Sequence, residues 1–293
     1  RTEHFRSAIT DGYDLLKKHK LEDISVIYHL AGKIEHSSCP NISEELYNIN
    51  VIGTLNIIKW ANYIDSQPRI IVASTSGVVA CHPIFIKQKN LPDETAKYSS
   101  HALKLPYYKS KIDCEKKALN LAKKYKLDII FIRPTMILGP DDLKGRATSR
   151  IKNFLLNNIC LTADGILDFI DVRDLVHVFY NVMNINQPNK YYNCGGTSMS
   201  VSDFYSNLQI LSNQKKIQIN LPYNIALIIT TFFYYIKIFL KLKVNFLPDP
   251  VVVKMGYSNW SINSTLAKTN LGLTNRPFEE TLKDTIEWHN SKK

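Results

Sequence analysis

Residues 106–111 read Pro-Tyr-Tyr-Lys-Ser-Lys and stand at the head of a helical stretch. They hold a Tyr-x-x-x-Lys motif made by Tyr107 and Lys111, whereas Tyr108 has no lysine four residues on. Residues four apart share one face of a helix, so the phenol and the ammonium can point into the same cleft. A nearby fixed cation stabilises a phenolate and lowers the pKa of a phenol from its usual value of ~10. The motif therefore predicts a tuned general acid and base.

Two stretches beside this motif have the pattern of buried strands. Arg69–Ala73 leads into the hydroxyl cluster Ser74–Ser76. Leu127–Ile132 leads into Arg133 and Pro134. In a parallel sheet, the carboxyl ends of the strands form the edge where ligands bind. The motif alone is common in a chain rich in tyrosine and lysine, but this context predicts that the hydroxyls and the motif meet at one site.

A strand followed by Ser-x-Ser, a helix with Tyr-x-x-x-Lys and a strand followed by Arg-Pro-x-x-x-x-Gly-Pro resemble the extended short-chain dehydrogenase/reductase family, in the NAD-dependent epimerase/dehydratase superfamily. Four further segments resemble that family in its order along nearly the whole chain: Val26–Gly32, Asn50–Thr54, Asp168–Leu175 and Tyr191–Gly196. The resemblance is strongest to the dihydroflavonol reductase and 3β-hydroxysteroid dehydrogenase branch. It implies an α/β fold, with a Rossmann-like doubly wound parallel sheet and a smaller C-terminal substrate lobe.

The same resemblance implies how the chain divides. Residues 1–143 would form the dinucleotide-binding domain, and residues 144–293 mainly the substrate-binding lobe, with some segments returning to the main body. The family begins with a strand, a Gly-x-x-Gly-x-x-Gly turn and a helix, whereas this chain shows no such cluster among its 11 glycines and has a short amphipathic helix within Asp11–Lys20. We therefore expect the first strands of the domain to lie upstream of Arg1, and a truncated product that cannot bind cofactor is the alternative.

The resemblance also implies catalytic roles. Ser76, or as the second candidate Ser74, would polarise the substrate carbonyl, and Tyr107 would exchange the proton. Lys111 would lower the pKa of Tyr107 and bind the nicotinamide ribose, while Asn50 would support an active-site water and the lysine. The residues that the resemblance places at the cofactor are Leu30, Ala31, Gly32, Ser74, Tyr107, Lys111, Pro134, Thr135 and Met136. The cofactor is NAD or NADP, because the residue that reads the ribose 2′ position follows the second strand of the family's fold, which has no counterpart here.

Composition limits the classes of partner. The chain has 293 residues, of which 45% are hydrophobic, as is typical of a globular protein. Its net charge of +11 comes largely from short lysine clusters such as Lys116–Lys117 and Lys123–Lys124, which favours solvated helix faces over a nucleic-acid footprint. Its five cysteines are scattered without a Cys-x-x-Cys pair. That pattern favours reduced thiols in a cytoplasmic protein and argues against a metal site.

The resemblance implies an oxidoreductase that transfers a hydride between a nicotinamide cofactor and a ketone or secondary alcohol. Nucleotide-sugar enzymes of the family usually have an arginine before the Asp-Phe segment, where this chain has Leu167. The substitution argues against a nucleotide sugar, although Arg146 or Arg150 would be able to replace the arginine. The apolar segment 225–236 suits a lipophilic small molecule (steroid-, flavonoid- or isoprenoid-like). A nucleotide-sugar epimerase or dehydratase is the first alternative, and a non-catalytic dinucleotide-binding scaffold or sensor is the second.

The segment 225–236 is apolar on every side and is followed by Lys237. It is shorter than the ~20 apolar residues that span a bilayer. Three interpretations stay open: a helix buried in the lobe, the wall of a hydrophobic substrate pocket, or a membrane-surface anchor that makes a peripheral contact through residues 225–240. The resemblance separately implies a homodimer through the helical stretches Glu44–Tyr63 and Tyr107–Tyr125.

Overall fold

The computed structural model describes residues 9–10, 24–86, 89–143, 145, 148–241 and 248–291. The helix expected within Asp11–Lys20 lies outside them, as does Arg146. The strands are β1 Val26–His29, β2 Arg69–Ala73, β3 His82–Pro83, β4 Ile129–Pro134, β5 Met136–Leu138, β6 Ile159–Thr162, β7 Ile166–Asp171, β8 Tyr191–Cys194, β9 Thr197–Ser200, β10 Ile217–Asn220 and β11 Ser258–Asn259. The α-helices are α1 Ile42–Leu46, α2 Gly53–Ala61, α3 Gly77–Ala80, α4 Pro106–Tyr125, α5 Ser149–Leu156, α6 Val172–Val182, α7 Val201–Ser212, α8 Tyr223–Phe239, α9 Pro250–Gly256, α10 Thr265–Leu271 and α11 Phe278–Ser291.

The main sheet holds its strands in the order β1-β2-β4-β8, and every neighbouring pair is parallel. Ala73 pairs with Ile132, and Pro134 pairs with Cys194, so the carboxyl ends of β2, β4 and β8 lie along one edge. All six residues of β4 are buried. Burial on both faces is typical of a parallel strand with helices on either side. The predicted Rossmann-like parallel sheet is therefore confirmed.

Helices cover both faces of this sheet. Successive side chains of a strand point to opposite faces. Ile70 of β2 packs with Ala118 of α4 in one cluster, which also includes residues of α2. Its neighbour Ile71 packs with Val178 of α6 in a second cluster, to which α10 contributes. The alternating apolar residues of one strand thus hold two helix layers, which makes the sheet doubly wound.

The helix that we expected over Glu44–Tyr63 is not uniform. A π-helical turn, Tyr47–Ile52, separates α1 from α2. Apolar spacing predicts an uninterrupted α-helix, because one extra residue in a turn leaves the overall pattern almost unchanged. The turn carries Asn50, and single π-helical turns inside helices are frequent at functional sites.

A second group of strands follows the main sheet. Strands β3, β11, β7 and β5 are neighbours in that order, and β9 pairs antiparallel with β7. Strands β6 and β10 form a separate parallel pair. After β7 the chain returns to the main sheet as β8, so the two groups of strands are not contiguous in sequence.

Helix α8 contains the apolar segment 225–236. Ala226 and Thr230 are its buried residues, and most of its large apolar side chains are exposed. The interpretation as a helix buried in the lobe is therefore wrong. Within the residues that the structure describes, no helix is long and apolar enough to cross a membrane.

Candidate active site

Helix α4 brings the Tyr-x-x-x-Lys motif to the carboxyl edge of the main sheet. It begins at Pro106, which suits the first helical position because a proline has no N–H to leave unbonded there. Tyr107 and Lys111 are 7% and 8% exposed. The ammonium Nζ of Lys111 donates a hydrogen bond of 2.7 Å to the backbone oxygen of Ala73, the last residue of β2. The lysine is thus fixed at the end of a central strand.

Asn50 links the loop after β1 to the first turn of α4. Its Nδ2 donates to the backbone oxygen of Lys33 and to the hydroxyl of Ser110, each at 3.0 Å. Its Oδ1 accepts from the backbone N–H of Lys33 at 2.8 Å. Ser110 in turn donates to the backbone oxygen of Tyr107 at 2.7 Å. A buried asparagine therefore holds the loop and the helix that carry the predicted site residues, and Ser110 is a participant that the sequence analysis missed.

Gly32 lies where the loop after β1 meets Asn50 and Lys111. A Cβ atom at this position would lie 3.2 Å from Oδ1 of Asn50 and 4.0 Å from Nζ of Lys111. Ala31 and Gly32 are exposed, and Leu30 is 63% exposed. The space at Gly32 is open to solvent and bordered by the ammonium of Lys111, and a side chain at this position would narrow it. Such a space fits the ribose of a dinucleotide. The residues present thus fit the cofactor that the resemblance implies.

The structure distinguishes the two candidate serines. The hydroxyl of Ser74 donates to Oε1 of Glu115 at 2.5 Å. Ser76 is 2% exposed, and its backbone N–H donates to the oxygen of Pro134 at 2.9 Å, which ties it to the end of β4. The side chain of Ser76 has no hydrogen-bond partner among the residues that the structure describes. Ser76 therefore has a hydroxyl available for a ligand, whereas the proton of Ser74 is already donated.

The partner of Ser74 belongs to a buried ion pair that sequence reasoning missed. Nε and NH2 of Arg133 donate to the two carboxylate oxygens of Glu115 at 2.9 and 2.6 Å. Their side chains are 2% and 1% exposed. The guanidinium also lies over the ring of Tyr191, 3.9 Å from its centroid. The pair ties α4 to β4 and so holds the motif helix on the sheet.

Burial, rather than the neighbouring cation, dominates the electrostatics of Tyr107. Burial raises the pKa of the Tyr107 phenol above its usual range. It also lowers the pKa of Lys111, although the nearby Cys114 and Glu115 oppose this. Burial thus outweighs any lowering of the Tyr107 pKa by Lys111, whose ammonium is bonded to Ala73. The tyrosine is a protonated group at neutral pH.

His29, the last residue of β1, adds a neutral histidine behind the lysine. Burial, and next the charge of Lys111, lowers the pKa of His29 to about 4. Its Nε2 lies 2.9 Å from the hydroxyl of Thr54, which donates to the backbone oxygen of Asn50 at 2.7 Å. This histidine lies within Val26–Gly32, and the resemblance assigns it no role. A polar residue at the end of a buried strand was the available signal.

Aromatic rings surround Tyr107. His36 meets it edge-on, with ring centroids 5.3 Å apart, and Tyr108 lies at 5.0 Å. Tyr108 in turn packs on Trp260 at 5.1 Å. A Cβ atom on Gly77 would lie 2.2 Å from the ring of Tyr108, so the residue after Ser76 must be small. We call the rings of His36, Tyr108 and Trp260 the aromatic wall. Sequence reasoning missed it, because His36 and Trp260 are remote from the motif in the chain.

The turn after β4 is held by backbone hydrogen bonds. The N–H of Thr135 donates to the oxygen of Cys194 at 2.9 Å, and β5 begins at Met136. Pro134 accepts from Ser76, as described above. The turn that the resemblance places at the nicotinamide thus lies directly beside Ser76.

The expected anion-binding arginine is absent from its usual place. Leu167 is 2% exposed and packs in the apolar cluster that includes Leu138 and Phe169. Arg150, on α5, lies close enough to Tyr108 for its charge to oppose the rise that burial causes in the pKa of Tyr108. A cation therefore lies near the aromatic wall, although it comes from a different element.

Comparison with known proteins agrees with this geometry. The model of the NAD dependent epimerase/dehydratase family matches residues 2–195. The chain belongs to this family. Among curated proteins, the UDP-glucose 4-epimerase of Mycoplasma genitalium is 24% identical over 228 residues, which cover 70% of the chain and 65% of that protein. The putative dihydroflavonol 4-reductase of Synechocystis is 32% identical over 153 residues, which cover 51% of the chain and 41% of that protein.

This member of the epimerase/dehydratase family thus spans less than two thirds of the length of those two relatives. Among solved structures, a mutant of the UDP-glucuronic acid 4-epimerase from Bacillus cereus, in complex with a fluorinated UDP-glucuronic acid and NAD, has a TM-score of 0.74 at 18% identity. The alignment covers 99% of the chain and 82% of that protein. At this identity the likeness establishes a shared fold.

Proposed function

We propose that this chain carries the catalytic site of a nicotinamide-dependent oxidoreductase that acts at a carbon bearing a hydroxyl or ketone. Two anchored residues at the carboxyl edge of the parallel sheet support the proposal: Lys111 is bonded to Ala73 at the end of β2 and lies beside Gly32, and Ser76 is bonded to Pro134 at the end of β4. Tyr107 lies on the helix of Lys111, four residues before it. Family membership supports an enzyme that uses NAD. The intact tyrosine and lysine argue against a non-catalytic scaffold or sensor.

NAD or NADP would lie along the carboxyl edge. An ammonium has three donors, and Lys111 uses one of them on Ala73, so the others are available to ribose hydroxyls. The residues that would hold the cofactor are Leu30, Ala31, Gly32, Ser74, Tyr107, Lys111, Pro134, Thr135 and Met136. Ser74 would contribute through its backbone and its acceptor lone pairs, since its proton goes to Glu115. When bound, the nicotinamide supplies or accepts the hydride.

The protein residues would handle the proton and the position of the substrate. Ser76 donates a hydrogen bond to the substrate oxygen as negative charge develops there. Tyr107 gives its proton to the same oxygen. Burial raises the pKa of this phenol, so Tyr107 carries the proton that the substrate oxygen receives. Asn50 acts indirectly, because its hydrogen bonds position the loop of Lys33 and the start of α4.

The first candidate substrate is a lipophilic ketone. Tyr107 is surrounded by the rings of His36 and Tyr108, and Leu167 leaves no arginine before the Asp-Phe segment. The second candidate is a nucleotide sugar, which the position of Arg150 near Tyr108 favours. The two candidates differ in whether they need a cation for a diphosphate.

The two substrate classes can be separated by product analysis in wild type and in Arg150→Ala, with NADH or NADPH supplied for ketones and NAD or NADP for nucleotide sugars. We expect flat, apolar ketones to be reduced and Arg150→Ala to change KM by less than about threefold. Lys152→Ala, at an exposed lysine of the same helix, is the matched control. If nucleotide sugars are the substrates, Arg150→Ala raises KM by about 10- to 100-fold, since a charged hydrogen bond is worth about 1.5–3 kcal/mol. Failure of both classes to react with either nucleotide would refute the proposed activity.

A further inference from the structure

Helix α8 exposes an apolar stripe along its whole length. Spacings of three and four residues place its members on one helical face. They are Ile225, Ile228, Phe232, Tyr235 and Phe239, which are 48%, 69%, 61%, 64% and 86% exposed. The helix holds the body of the protein through its other side, where Ala226 and Thr230 are buried. Exposed apolar side chains so closely spaced are typical of an interaction surface.

The positive charge of the chain is concentrated in the same region. Residues 213–256 contain six lysines and one aspartate, a net charge of +5 out of the total of +11. The single aspartate, Asp249, is engaged by the backbone N–H of Ser38 at 2.8 Å and by the hydroxyl of the same residue. Helix α8 itself has no acidic residue. The net positive charge of this stretch of sequence favours an anionic partner.

The inner side of α8 is connected to the candidate active site. The phenol of Tyr234 donates to the backbone oxygen of Ser38 at 2.7 Å. His36, two residues before Ser38, packs against Tyr107. One short loop thus contacts both the exposed helix and the proposed proton donor.

We propose that the stripe of α8 docks on an anionic lipid bilayer and that the site beside it takes a lipophilic substrate from the membrane. The apolar side chains would enter the boundary between headgroups and acyl chains, and the lysines would face lipid phosphates. The statement about substrate rests on the proposed function, whereas the docking itself does not.

A protein partner suits this surface less well. Lysine is depleted in protein interfaces. A second copy packed across a two-fold axis would set each region of +5 against its equivalent, which is unfavourable. The homodimer predicted through Glu44–Tyr63 and Tyr107–Tyr125 would use other surfaces. An anionic bilayer satisfies the apolar stripe and the lysines together.

The test is flotation of the full-length protein with vesicles of phosphatidylcholine, alone or mixed with phosphatidylglycerol. Wild type should bind the anionic vesicles about tenfold more strongly than the neutral ones. The double variant Phe232→Asp/Phe239→Asp should lose at least about tenfold of that binding. The matched control is Val176→Asp/Ile210→Asp, at residues of α6 and α7 that are 59% and 76% exposed, and it should bind as wild type does.

Three results would overturn the docking proposal: wild type that stays with the buffer, a stripe variant that binds as wild type does, or a wild-type dimer that the stripe variant converts to a monomer. Circular dichroism melts of each variant establish that the fold is kept, since the replaced side chains are exposed. Flotation needs neither substrate nor cofactor. If docking is lost and nucleotide binding is preserved, the proposed oxidoreductase activity still stands. If docking is preserved and nucleotide binding is absent, only the proposed oxidoreductase activity is refuted.

Discussion

Tyr107→Phe should lower kcat by about 10²- to 10⁴-fold while leaving the Kd of the nicotinamide nucleotide unchanged. The reason is that the substitution removes the proton donor and little else. The ring keeps its contacts with His36 and Tyr108, and the phenol of Tyr107 has no hydrogen-bond partner within the part of the chain that the structure describes. Steady-state turnover and a fluorescence titration of the nucleotide measure the two effects.

The neighbouring tyrosine is a matched control. Tyr108 has the same exposure of 7%, but no lysine follows it by four residues. Tyr108→Phe should stay within about threefold of wild type, because this ring packs against Trp260 and the substitution keeps that contact. Full activity in Tyr107→Phe, or a larger loss in Tyr108→Phe, would show that the proton comes from elsewhere.

Glu115→Ala should destabilise the protein by about 3–5 kcal/mol, because it leaves the guanidinium of Arg133 buried without its charge partner. The hydroxyl of Ser74 loses its acceptor as well. Urea unfolding followed by circular dichroism measures the loss. A second variant, Glu115→Leu/Arg133→Met, removes both charges and should recover most of that stability.

The control for this prediction is a more exposed ion pair on the same helix. Lys109 and Asp113 form it at 2.7 Å, with side chains 53% and 23% exposed. Asp113→Ala should cost less than about 1 kcal/mol, since an exposed pair gains little in water. Equal losses from Glu115→Ala and Asp113→Ala would mean that the buried pair does not hold α4 on the sheet.

The parallel sheet was accessible from sequence because its information is local. The segments that form β2 and β4 are continuously hydrophobic, a pattern typical of strands that are covered on both faces. Lys111 of the Tyr-x-x-x-Lys motif lies at the end of β2, which helix periodicity and the pattern of the strand ends predict. Asn50 was found through its motif, but the π-helical turn that carries it has no distinct residue pattern.

What sequence could not supply depends on contacts between distant segments. The resemblance ranks Ser76 before Ser74, but the hydrogen bond of Ser74 to Glu115 on another element is not visible in the sequence. The pKa of Tyr107 follows from how deeply its ring is buried, which a four-residue spacing does not encode. Helix α8 was recognisable as apolar, yet the direction in which it faces depends on what the rest of the chain leaves uncovered.

The central claim is that Lys111 and its surroundings hold a nicotinamide nucleotide. Fluorescence titration of NADH and NADPH into the full-length protein, in wild type, Lys111→Met and Lys109→Met, tests it most directly. The account predicts that wild type binds at least one nucleotide, that Lys111→Met weakens binding by about 10- to 100-fold, and that Lys109→Met, at the exposed lysine of the same helix, does not. Failure of the wild-type protein to bind either nucleotide, or equal binding by Lys111→Met, would contradict it.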